Sequence, residues 1–213
     1  MKRYLLLIAS LVLVLQIPFT DAVPLTGNSR GAITLVEYYD YECPHCRHMA
    51  PVLEALQRQY PNLRIVYRVA PLLTANSRLV ASLVLASEKQ GKWQALHRRL
   101  MQSPDAPTPQ DVLEISQSLG LNPQILLQTM RQPNIQHQLQ QNIQLAQAHA
   151  VQGTLLLPTL VFERFDESND SITLTGEQSY NLLSAIVRQL EQDHVQTIQN
   201  TKPTVSIVAK ENS

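Results

Sequence analysis

Ile33-Thr34-Leu35-Val36-Glu37-Tyr38-Tyr39-Asp40-Tyr41-Glu42-Cys43-Pro44-His45-Cys46-Arg47-His48 decides how this chain is read, because it carries both cysteines of a 213-residue sequence, spaced Cys-x-x-Cys. Apart from Glu37, the run Ile33 to Tyr39 is β-branched, leucine and aromatic, the composition of a strand. Cys46 to Gln59 are mostly helix formers, with Met49, Val52, Leu53 and Leu56 on one apolar stripe. The cysteine pair therefore falls at a strand-to-helix junction. Backbone N–H groups in the first turn of a helix lack partners and the dipole there is positive, so an anionic sulfur is favoured. Pro44 suits that first turn, where its missing N–H is no loss, and His45 adds a second source of positive charge. Together these draw the Cys43 thiol from about 8.5 into the range of roughly 3.5–7.5. Cys46, one turn inside the helix, is the shielded partner. Two other uses of the pair fit less well. A structural disulfide closing so short a loop gains little chain entropy. A zinc or copper site recruiting His45 or His48 lacks the usual second Cys-x-x-Cys half. The reading is of thiol–disulfide chemistry without a metal or other cofactor.

Cys43-Pro44-His45-Cys46 resembles the active site of the DsbA family, thioredoxin-fold thiol oxidoreductases of the bacterial periplasm. The resemblance spans roughly residues 30–192. Glu37, six residues before Cys43, matches a buried acid of that family, and Pro51, five after Cys46, matches the kink proline of thioredoxin-like active-site helices. Pro158, in Leu157-Pro158-Thr159 ahead of the strand-like Leu160-Val161-Phe162, resembles the family's cis-proline. The segment Thr154-Leu155-Leu156-Leu157-Pro158 is longer and greasier than the Gly-Thr-Pro or Gly-Val-Pro of relatives. What the resemblance implies is an α/β, thioredoxin-like fold with an inserted all-helical domain. It also implies Cys43 and Cys46 as the redox-active disulfide, with His45, Glu37 and Pro158 beside them in the active site. Leu157 and Thr159 are implied as substrate contacts, with a quinone-linked membrane protein as reoxidising partner.

Gross features agree with an exported enzyme. Met1-Lys2-Arg3 is basic, Tyr4 to Ile17 is almost wholly apolar, and Thr20-Asp21-Ala22 ends in a small residue, so residues 1–22 read as a signal peptide cut after Ala22. The apolar run is shorter than the roughly 20 residues that span a bilayer, which disfavours an uncleaved anchor. Without residues 1–22 the chain holds 15 basic and 16 acidic side chains, a balance that points away from nucleic acid. One cysteine pair in an oxidising compartment is a pair that works rather than staples.

Along the chain, residues 23–32 read as a short irregular lead that opens the first half of a thioredoxin-like domain (23–76). Alternation in Ile33 to Tyr39 places Glu37 on the face of Ile33 and Leu35. A central strand flanked by helices is buried on both faces, and burial raises a carboxyl's pKa, which suits a proton relay to Cys46. Leu63 to Val69 alternates again after the turn Tyr60-Pro61-Asn62, predicting a parallel strand that completes a β-α-β unit. Residues 77–150 are helical in pattern, punctuated by Gly91, Pro104, Pro107, Pro109, Gly120, Pro123 and Pro133. In the glutamine-rich stretch, Ile135, Leu139 and Ile143 keep a helical stripe, so a solvated helix face is predicted. The second half (151–194) offers strands Leu160 to Phe165 and Ile172 to Thr175 and a closing helix Ser179 to Gln192. Residues 195–213 show no sustained pattern and read as a flexible tail.

The chemistry implied is donation of a Cys43–Cys46 disulfide to reduced cysteine-containing exported proteins in the periplasm. The rivals are an isomerase or reductase, and a redox-silent peptide-binding chaperone using Leu155 to Leu157. Only about ten residues separate Ala22 from Ile33, below the roughly 40 that a self-standing domain needs. A monomer is expected on that ground, and with it an oxidase rather than an isomerase.

Overall fold

The structure is a computed structural model describing residues 23–164 and 171–201. The expected signal segment, the turn between the last two strands and the end of the tail lie outside the described residues.

Five strands form one mixed sheet: β1 (Leu25–Gly27), β2 (Ile33–Tyr39), β3 (Leu63–Val69), β4 (Thr159–Arg164) and β5 (Ser171–Thr175), in the order β1-β3-β2-β4-β5. β2 lies at the centre, and all seven of its residues are buried, which is why its sequence is apolar nearly throughout. β3 runs parallel to it, with Ile33 opposite Leu63 and Tyr39 opposite Val69. β3 buries Leu63, Ile65, Tyr67 and Val69 and leaves the residues between them half-buried, following the alternation read in the sequence. β4 pairs antiparallel with both β2 and β5.

α1 (Pro44–Gln59) connects β2 to β3 and buries Cys46, Met49, Leu53 and Leu56, with Pro51 inside it. Between β3 and β4 come α2 (Ala75–Ala86), a 3-10 turn (Ser87–Gln90), α3 (Trp93–Met101), α4 (Pro109–Ser118), α5 (Pro123–Thr129) and α6 (Pro133–Gln147). Prolines stand in the first turn of α4, α5 and α6, where the lost donor was unpaired anyway. The helical insertion shares one core with the sheet: Leu35 and Leu53 belong to the same apolar cluster as Val80, Leu100, Val112 and Leu126. α6 buries Ile135, Leu139, Ile143 and Ala146 along its predicted stripe. Its Asn142, also buried, donates to the Val69 carbonyl at 3.1 Å and ties the glutamine-rich helix to β3.

Two expectations are corrected. The lead is not wholly irregular, since Leu25–Gly27 adds a strand antiparallel to β3. Three residues are too few to show a period, and their order comes from the open edge of β3. Gly27 is required there: at φ +84°, any Cβ would stand 2.4 Å from the Leu63 carbonyl. The closing helix α7 (Tyr180–Thr201) runs past Gln192, so residues 195–201 are helical rather than loose. Beyond the apolar stripe, polar contacts one turn apart carry it on, with Gln189 Nε2 on Asp193 Oδ1 at 2.9 Å and the Thr197 hydroxyl on the Asp193 carbonyl at 3.0 Å. Once a helix is nucleated, each added residue gains a backbone bond at small cost. No helix among the described residues is long and apolar enough to cross a membrane.

Candidate active site

Cys43 is the N-cap of α1. Its backbone is extended, at φ −72° and ψ 115°, and its sulfur accepts the Cys46 N–H at 3.4 Å, with Pro44 taking the first helical turn. The loop holding it is fixed from behind by Asp40, fully buried. The Asp40 carbonyl accepts the Cys43 N–H at 3.1 Å. Its carboxyl accepts the N–H of Glu42 at 3.0 Å, Leu72 at 3.0 Å and Leu73 at 3.2 Å, bracing the β2–α1 loop against the β3–α2 connection. The sequence reading did not single out Asp40, because nothing in a loop aspartate's spacing shows which distant N–H groups it will meet.

Both cysteines are free thiols, Cys43 5% and Cys46 0% exposed. The Leu157–Pro158 peptide bond is cis, and the Leu157 carbonyl accepts from the Cys43 thiol at 3.6 Å. The longer leucine loop thus brings the Leu157 carbonyl beside the Cys43 sulfur. Leu156 is 52% exposed while Leu155 and Leu157 pack against a small apolar cluster, so the three leucines divide between surface and core. Thr159, expected to contact substrate, is instead fully buried, and its hydroxyl donates to the Leu156 carbonyl at 2.6 Å. Its side chain braces the loop rather than facing a bound peptide.

The two sulfurs have opposite proton affinities. Cys43 is lowered to about 6, chiefly by the hydrogen bond from the Cys46 thiol; burial opposes this, and the N–H groups of Cys46 and His45 and the His45 charge add to it. His45 is thus a minor contributor, less than its place in the motif suggests. Burial pushes Cys46 well above the ordinary thiol range, helped by the hydrogen bond to Cys43 and the charges of Glu37 and Cys43. Glu37 is fully buried on β2, and neither carboxyl oxygen has a hydrogen-bond partner among the described residues. Burial, and secondarily the Cys43 charge, raise it to about 8. At neutral pH the arrangement is a Cys43 thiolate, a Cys46 thiol and a protonated Glu37 carboxyl.

A residue absent from the sequence reading completes the rim. Glu177, between β5 and α7, places Oε1 2.5 Å from Nδ1 of His45 and 3.0 Å from Nδ1 of His48. All three side chains are exposed, and the Glu177 carboxylate bridges the two imidazole rings by hydrogen bonds. Glu177 raises His45 above the usual histidine range. A groove of about 1090 Å³, lined by Arg68, His137, Gln141 and Leu145 among others, shares no residue with this site.

A Cys-x-x-Cys pair at the cap of the first helix of a thioredoxin-like sheet, facing a cis-proline loop, defines a thiol–disulfide oxidoreductase. The chain belongs to the family described as DSBA-like thioredoxin domain, whose sequence model matches residues 34–188. It is similar to a thioredoxin-like oxidoreductase from Silicibacter pomeroyi DSS-3, with 31% identity and a TM-score of 0.71 over 80% of this chain and 92% of that one. A periplasmic thioredoxin-like protein from Salmonella enterica serovar Typhimurium shares 27% identity at a TM-score of 0.65, covering 80% of this chain and 90% of that one. Curated relatives include the Na(+)/H(+) antiporter NhaA 3 of Salinispora tropica, 27% identical over 60% of this chain. The chain matches 20% of that protein's length and 19% of a second such antiporter's, from Salinispora arenicola.

Proposed function

We propose that this enzyme is an exported, periplasmic oxidase that donates a Cys43–Cys46 disulfide to reduced cysteine-containing proteins. The observation that carries this reading is the asymmetry of the pair: a low-pKa Cys43 at the helix cap and a buried, high-pKa Cys46 near a proton-bearing Glu37. A substrate thiolate attacks the Cys43 sulfur of the disulfide, and the Cys43–Cys46 bond breaks as the mixed disulfide forms. The Cys46 sulfur leaves as a thiolate and takes the Glu37 proton. The substrate's second thiolate then attacks its own sulfur in the mixed disulfide, and Cys43 departs as the stabilised thiolate. The substrate loses two electrons and the enzyme gains them. A quinone-linked membrane protein, inferred from family resemblance alone, takes them on. The Leu157 carbonyl beside Cys43 is placed to accept an N–H from an extended substrate backbone.

Export rests on the reading of residues 1–22, and a periplasmic place is supported by the printed description of the Salmonella relative. A monomer is supported by the use of Leu25–Gly27 along the β3 edge. Light scattering paired with refolding assays tests the assignment. A monomer that rapidly oxidises reduced substrate and reshuffles scrambled disulfides poorly is expected. A stable dimer with strong reshuffling would falsify the oxidase assignment and leave Cys43 as nucleophile.

A further inference from the structure

We propose that Glu177 is a positioning residue that holds the His45 imidazolium at the N-terminal turn of α1 and thereby sets how the redox equilibrium varies with pH. This rests on Cys43 being the nucleophile. A carboxylate only accepts hydrogen bonds, so Nδ1 carries the hydrogen in both histidine contacts, and the second proton of a cationic ring sits on Nε2. The connector bearing Glu177 is pinned on two sides. Gly176, at φ +76°, donates its N–H to the Pro158 carbonyl at 2.8 Å, and the Gln178 N–H reaches Met49 Sδ at 3.2 Å. Gln178 Nε2 also donates to the Thr175 carbonyl at 2.9 Å. The cis-proline loop and α1 thus hold the residues on either side of Glu177 in place, which makes its contact with the histidines a product of the fold.

The charged groups bearing on His45 are Glu177 from the connector and Cys43 from α1, and the other titratable side chain beside it is His48, with ring centroids 6.5 Å apart. The loop opposite Cys43 contributes the Leu157 carbonyl and no titratable side chain. Protonated His45 favours the Cys43 thiolate and hence the reduced enzyme. Glu177 keeps that proton bound to a higher pH, so this support for the reduced state acts where Cys43 is a thiolate and His45 is still protonated, and it is lost as pH rises through the raised His45 value. The carboxylate's own repulsion of the thiolate acts in the opposite sense, and the structure assigns the larger effect to the histidine it contacts directly.

Glu177→Gln keeps an acceptor and removes the charge. In NMR titrations the His45 midpoint is expected to fall, and His48→Ala, which leaves Oε1 to His45 alone, is expected to raise it. In glutathione equilibria at pH 7, Glu177→Gln is expected to shift the enzyme toward its disulfide by about threefold, the order of an exposed charge pair, with no shift at pH 5, where the ring is protonated either way. An unchanged His45 midpoint, an equal shift at both pH values, or a shift toward the dithiol overturns the proposal. Cys43 alkylation in the same samples separates the two readings. An unreactive wild-type Cys43 overturns the oxidase reading and this inference together, whereas a reactive Cys43 with an unaltered pH profile in Glu177→Gln overturns this inference alone.

Discussion

Glu37→Gln is expected to make the protein more stable and less active, and the stability change has a definite pH signature. Glu37 is fully buried, without a hydrogen-bond partner, and titrates near 8 in the folded reduced protein against an ordinary 4.5. The unfolded chain releases this proton above pH 4.5 while the folded protein retains it to about 8, so folding is penalised progressively across that window. Each tenfold step is worth about 1.4 kcal/mol, which gives a penalty under about 1 kcal/mol at pH 5 and about 3 kcal/mol at pH 7. The glutamine pays neither. Both side chains leave a polar group unpaired, so the informative quantity is the slope: the variant's advantage over wild type should grow by about 2.5 kcal/mol between pH 5 and pH 7. Urea unfolding of both reduced proteins at the two pH values measures it. Parallel stability curves would show that Glu37 is ionised in the fold and that the relay is wrong. The amide has no proton to give the departing Cys46 sulfur, so mixed-disulfide formation followed by stopped flow should slow by about 10²-fold, the lower end for general acid catalysis. An unchanged rate would assign that proton to water.

In the reduced protein, iodoacetamide should modify Cys43 with a midpoint near pH 6, as its thiolate forms, while Cys46 stays unmodified; equal reactivity of the two would refute the asymmetry. His45→Ser should raise the Cys43 midpoint and make the disulfide less oxidising, but only modestly, since the Cys46 thiol is the larger cause of the lowered value; the alkylation profile reads this, and a complete return to the ordinary thiol range would reverse that ranking. Asp40→Ala, which leaves three backbone N–H groups without their acceptor, should lower stability by about 2–4 kcal/mol in urea unfolding; a change within about 0.5 kcal/mol, the range of an ordinary surface substitution, would mean water replaces the carboxyl.

The central strands and the first helix were legible because their signals are local and repeated. β2 and β3 have the bounds their composition and alternation predict, and the stripe of Met49, Leu53 and Leu56 foretold the buried face of α1. Leu25–Gly27 was not legible, because its order depends on an edge supplied by residues forty positions later. The last turns of α7 were missed because polar contacts and cooperativity continue a helix after its apolar stripe has ended. In the site, Cys43, Cys46 and Glu37 stood out by type: two cysteines with no others in the chain, and a carboxylate in an otherwise apolar strand. Glu177, an acid among polar residues, and Asp40, a loop acid between two tyrosines, carried no such signal, because their importance lies in what the fold brings to them. Thr159 was assigned by its place after Pro158, and spacing alone does not show where its side chain turns.

Cys43 and Cys46 are three residues apart, yet one gives up its proton readily and the other holds it. The difference follows from a single turn of α1. At the cap, a sulfur meets unpaired N–H groups and accepts the Cys46 N–H. One turn further in, that donor has been used, and Cys46 is fully buried in the apolar core. The same hydrogen bond, from the Cys46 thiol to the Cys43 sulfur, lowers one and raises the other. Stabilising the Cys43 thiolate in this way favours the dithiol over the disulfide and so makes the disulfide a stronger oxidant. It also creates a difficulty, since the sulfur that departs in the first exchange step is Cys46, whose anion has poor support in that setting. A nearby buried carboxyl that still carries its proton at neutral pH meets that need, which gives the otherwise unfavourable burial of Glu37 its physical reason.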